Sequence, residues 1–102
     1  MVSLSVDEII KRIQSWVKDC EKAYDQDFSK EFVVEVQKAD DGRTFVEFRF
    51  DSTLYEIIEY YYSDGLDWFK CGSKYANLFD GTGWSAESYS PGVQQIWKQG
   101  DS

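Results

Sequence analysis

Histidine is absent from this 102-residue chain, which removes the side chain best suited to proton transfer near neutral pH and the commonest metal ligand. Serine–histidine and cysteine–histidine nucleophile pairs are therefore excluded within it. Cysteine occurs only as Cys20 and Cys71, too few for a disulfide framework and too far apart for a close-paired zinc or redox motif. Both are expected to be reduced core residues: Cys20 falls on an apolar helical stripe, and Cys71 follows Trp68 and Phe69. No apolar run approaches the roughly 20 residues that span a bilayer. The opening MVSLSVDEII does not combine a charged leader, an apolar run and a small-residue cleavage site. A cytoplasmic protein without metal or other cofactor is the expectation.

Basic residues are scarce as well: 11 lysines and arginines face 19 acids, for a formal charge of −8. Such a field repels phosphate backbones and anionic membranes and attracts cationic surfaces. Direct nucleic-acid binding is disfavoured, since that affinity comes largely from Lys and Arg displacing counterions. The competing explanation is that the acids only keep the protein in solution. Gly81-Thr82-Gly83 resembles a fragment of a phosphate loop but lacks the following Lys-Ser/Thr, so a turn is expected there.

Aromatic side chains are abundant. Seven Phe, seven Tyr and four Trp, each able to bury about 150–250 Å², supply the core of a single domain over residues 1–102. Ser5-Val6-Asp7-Glu8 reads as a capping box. Val6, Ile9, Ile10, Ile13, Trp16, Val17, Cys20, Ala23 and Tyr24 then recur at the helical period, predicting a helix over 5–25.

Residues 31–39 and 43–51 read as a hairpin around Asp40-Asp41-Gly42. A two-residue turn would set Val36 opposite Glu47 and mix the faces. A three-residue loop with Gly42 left-handed pairs Phe32 with Phe50, Val34 with Phe48 and Val36 with Val46, keeping one face apolar. From Thr53 the spacing Leu54, Ile57, Ile58, Tyr61 predicts a second helix, with a capping box at Thr53–Glu56 and an end at Gly65.

Further on, 66–71 and 74–79 read as strands joined by Gly72-Ser73, 80–83 as a turn and 84–89 as a strand. Ser90-Pro91 suits the start of a short final helix carrying Val93, Ile96 and Trp97. The expected architecture is α+β: a long N-terminal helix packed on an antiparallel sheet, a second helix after the first hairpin and a short C-terminal helix.

The densest overlap of acids and aromatics is 51–67, DSTLYEIIEYYYSDGLD, with five acids, four tyrosines and no lysine or arginine. Added to the polar side of the hairpin, it defines the expected partner-binding residues: Glu35, Glu47, Glu56, Glu59, Tyr60 and Asp64. Carboxylates around a tyrosine anchor would steer a basic protein partner and repel acidic ones. The same exposed aromatics leave room for a homodimer seam.

The expected function is a non-catalytic acidic protein-binding module, an inhibitor of anti-defence or immunity type that covers a basic or nucleic-acid-binding surface. Trp68, Trp84, Trp97, Tyr75 and Tyr89 carry the alternative, a stacking platform for a carbohydrate or another flat ligand. The predicted register also sets Glu35 opposite Glu47, two carboxylates at the short range that glycosidases use. A solvent-facing ladder offers no cleft, however, and Arg49 sits diagonal to the pair.

Overall fold

Ser5 caps the first helix as its spacing predicts. Its hydroxyl accepts the Glu8 amide at 3.2 Å, and the Glu8 carboxylate accepts the Ser5 amide at 3.0 Å. Helix α1 follows over Val6–Tyr24 and closes on Asp25 in the left-handed conformation. Ile9, Ile13, Trp16, Val17 and Cys20 form its buried stripe.

The Ser5 amide, followed by the Ser5 hydroxyl, holds the Glu8 carboxyl below the ordinary glutamate value. A carboxyl depressed in the folded state stabilises above its unfolded value, and that contribution is lost as pH falls through the folded one. Asp27, held down mainly by the Ser29 amide, and Asp41, held down mainly by the Arg43 amide, act in the same direction. Thermal melts should therefore lose stability as pH drops below about 4.3, and Glu8→Gln should flatten that dependence.

The computed structural model describes residues 3–59 and 73–99. After α1 come β1 (Phe32–Lys38), β2 (Thr44–Phe50), α2 (Ser52–Glu59), α3 (Ser73–Ala76), β3 (Trp84–Ser90) and β4 (Val93–Lys98). The strands form one antiparallel sheet in the order β1-β2-β4-β3, so the class is α+β. The first hairpin adopts the predicted register, Phe32↔Phe50, Val34↔Phe48 and Val36↔Val46. Gly42 turns the loop at φ +91°, and its N–H donates to the Ala39 carbonyl at 2.9 Å. A one-residue slip would have turned the valines and phenylalanines to the wrong face.

Helix α2 begins at Ser52, so Thr53 lies inside its first turn instead of capping it. The cap comes from outside the helix: the Glu31 carboxylate accepts the Thr53 and Leu54 amides at 3.0 and 3.3 Å. Strand pairing places it there, because the Asp51 amide donates to the Glu31 carbonyl at 2.9 Å. Glu31→Ala strands these part-buried donors and should lower stability by about 1–2 kcal/mol. Glu31→Gln retains an acceptor and should cost less, a difference that urea denaturation of both variants resolves.

Two expected elements are corrected. Residues 73–76 form a single helical turn, not the start of a strand, and consecutive turns follow. Their carbonyls take up the Leu78, Asp80 and Thr82 amides three residues on, at 3.1–3.2 Å. This coiling buries Tyr75 and Phe79, with the Tyr75 ring 4.8 Å from that of Trp16. Residues 93–98 are a strand, not a helix. Pro91 and Gly92, the latter at φ +78°, make a tight turn that returns the chain antiparallel to β3, and β4 fills the second edge of β2 by pairing Ile96 with Val46. The expected strand at 66–71, Gly65 and Cys71 lie outside the described residues.

The core sits between the sheet and the helices. Phe48, Val46, Phe50 and Ile96 meet the buried side of α1, Leu54, Ile57 and Ile58 of α2, and Tyr75, Phe79 and Trp84. The 80–83 turn satisfies itself: the buried Thr82 hydroxyl donates to the Phe79 carbonyl and accepts the Trp84 amide. The Trp84 indole N–H donates to the Leu4 carbonyl at 2.8 Å, tying the start of the chain to β3.

Candidate protein-binding face

Strand alternation sends Val34, Val46, Phe48 and Ile96 into the core and their sequence neighbours to the opposite side of the sheet. The register aligns those neighbours in rows across four strands. One row is Glu35, Glu47, Gln95 and Glu87; beside it run Gln37, Phe45, Trp97 and Ser85. Glu35, Glu87 and Arg49 on this side are exposed, and Glu47 is half-buried.

Arg49 is shared by the two facing glutamates. Its Nη2 lies 3.2 Å from Glu35 Oε2 and its Nε 3.2 Å from Glu47 Oε2, while the Gln37 amide nitrogen donates to Glu35 Oε2 at 2.9 Å. Glu35 and Arg49 are open to solvent, and such surface pairs are worth about 0–1 kcal/mol each, so Arg49 offsets like-charge repulsion more than it anchors the fold. Three carboxylates against this one guanidinium leave the row negative. The Glu35–Glu47 pair thus sits on the ladder bridged by a cation, and no cleft encloses it among the described residues.

The neighbouring row supplies an aromatic platform. Trp97 stacks on Phe45 with centroids 4.4 Å apart and planes at 25°, and the Arg43 guanidinium carbon lies 4.8 Å from the Trp97 centroid. Arg43 is itself paired with Asp41 at 2.7 Å. The Trp97 indole N–H donates to Gln95 Oε1 at 3.2 Å, which links the aromatic row to the acidic one. A half-buried tryptophan beside carboxylates offers apolar contact and charge at once.

Of the residues expected to bind a partner, the structure brings Glu35 and Glu47 together. Glu56 is exposed on α2, whose buried residues belong to the layer on the other side of the sheet, so it does not share their face. Glu59 ends α2 with its side chain outside the described residues, as are Tyr60 and Asp64. Sequence reasoning missed Glu87, Gln95 and Trp97 as members of the face. Pro91-Gly92, a pair suited to a tight turn after the strand expected at 84–89, was the one local hint of a returning strand, and the helix reading of 93–98 hid it.

The expected stacking platform is divided. Trp84 and Tyr75 are core residues and Tyr89 is exposed on β3, Trp97 lies on the open face, and Trp68 is outside the described residues. Among the described residues no group of three or more acids or cysteines is arranged to hold a metal ion. None of their helices is long and apolar enough to cross a membrane.

No family model, curated protein or solved structure matches the chain. Any functional reading therefore rests on the face itself.

Proposed function

We propose that this chain is a non-catalytic protein-binding module whose open sheet face docks on a basic surface of a larger protein. Occupying a surface that would otherwise take phosphates makes it a competitive inhibitor, of the kind used in anti-defence or immunity. The observation that carries the reading is the row Glu35–Glu47–Gln95–Glu87, exposed at Glu35 and Glu87 and half-buried between them, flanked by the row of Trp97 on one side and by that of Arg49 on the other. Spacing across an antiparallel ladder is about 4.5–5.5 Å, so carboxylates on neighbouring strands present closely spaced negative charge. Trp97 supplies the rigid apolar contact around which such charges act.

The overall charge of −8 reinforces the local row by steering cationic partners during encounter. The test is kinetic. With a partner captured from the native host and identified by mass spectrometry, Glu35→Lys combined with Glu87→Lys should slow association by about tenfold at low salt and flatten its salt dependence. Unchanged association would reject the face, and the same loss from Glu56→Lys alone would move the contact to α2.

A further inference from the structure

We infer that the outer edge of β1 takes up the partner by adding an extended basic segment to the sheet as another strand; this rests on the reading of a basic protein partner. The hydrogen bonding among the described residues defines which groups are left to pair. At one end of the first hairpin the Asp51 amide donates to the Glu31 carbonyl, and at the other the Ala39 amide donates to the Arg43 carbonyl. Odd-numbered residues of β1 therefore exchange ladder bonds with β2, and Phe32, Val34, Val36 and Lys38 direct their N–H and C=O groups away from it.

The two edges of the sheet are not equivalent. Strand β3 carries a register shift between Ser88 and Ser90, an irregularity that resists strand addition. Strand β1 pairs regularly over all seven residues and contains no glycine or proline. Its Val33 and Val36 are 47% and 50% exposed, on opposite faces. A long, regular edge with apolar side chains is the template that strand addition uses.

Charge selects the occupant. Glu35 stands at the middle of the edge on the open face, with Glu47 behind it in the same row. An added strand would set one set of alternate residues over Val33, Glu35 and Gln37 and the other over Phe32, Val34, Val36 and Lys38, so it should carry a basic side chain opposite Glu35 and apolar ones on the opposite face. A second copy of the chain would bring its own −8 charge, and two-fold pairing centred on Glu35 would oppose two glutamates, which is destabilising.

The test uses a seven-residue peptide of alternating lysine and valine with the intact protein. Hydrogen exchange at the Phe32, Val34, Val36 and Lys38 amides should slow on binding. Val36→Pro removes one outward N–H without breaking a β1–β2 bond and should weaken binding by roughly fivefold, the worth of about one hydrogen bond. Methylating the peptide amides that face β1 should abolish binding with the protein unaltered, and a glutamate–valine peptide should give no slowing.

Shift changes at Glu47, Glu87 and Trp97 without slowed exchange at the four amides would place the ligand flat on the sheet. That would overturn the edge inference and leave the docking face standing. Failure of the peptide to bind at all would also reject the edge, while the charge-reversal kinetics judge the face separately. A peptide-free dimer abolished by Val36→Pro would overturn the inference too, by giving the edge to a second copy.

Discussion

Phe48→Ala is expected to lower the unfolding free energy by about 3–5 kcal/mol, a large part of the 5–15 kcal/mol typical of such a domain. Phe48 is fully buried, and its ring lies 4.9 Å from Phe50, 6.2 Å from both Phe32 and Tyr75, and 6.5 Å from Trp16. It therefore joins α1, two strands and α3 through one side chain. Removing it leaves a void whose lining comes from four separate segments, which cannot all move inward together. Phe48→Leu keeps most of the volume and should cost clearly less. Urea denaturation gives both values, and a loss below about 1 kcal/mol for the alanine variant would show that the core relaxes freely.

Gly92→Ala is the second large effect, expected at about 2–4 kcal/mol from backbone strain and overpacking together. Gly92 has φ +78°, where a β-carbon is disfavoured, and an added one would stand 2.8 Å from the Phe50 carbonyl oxygen. That oxygen belongs to backbone already committed to pairing, since the Phe50 amide donates to the Gly92 carbonyl at 2.9 Å. Gly42→Ala separates the two causes. Its φ is +91° but nothing lies within 4 Å of the added carbon, so it should show only the strain, about 1–2 kcal/mol. Equal losses at both positions in thermal or urea melts would refute the steric part. Because β4 carries Gln95 and Trp97, Gly92→Ala should also disturb the candidate binding face, visible as altered tryptophan fluorescence.

Half of the acidic row is legible in the sequence. Glu35 and Glu47 follow from the loop length of the first hairpin, which a local apolar pattern decides. Glu87 and Gln95 do not, because their place depends on which strand occupies the far side of β2. Glu56 shows the opposite limit: helical spacing gives its outward direction but not which side of the sheet that helix occupies. The cap on α2 is hidden for a similar reason. Thr53 sits in a local pattern that resembles a cap, and Glu31 displaces it only because pairing brings β1 beside the first turn.

Helix α1, the β1–β2 register and the apolar side of α2 were determined by sequence alone, because the groups that settle them are near neighbours along the chain and their pattern repeats at the period of the element. Tertiary structure alone decided that 93–98 is a strand and that 73–76 coils. In both segments apolar residues suit either conformation, and the choice falls to distant partners: the vacant hydrogen-bonding edge of β2 for Ile96, and the Trp16 ring for Tyr75.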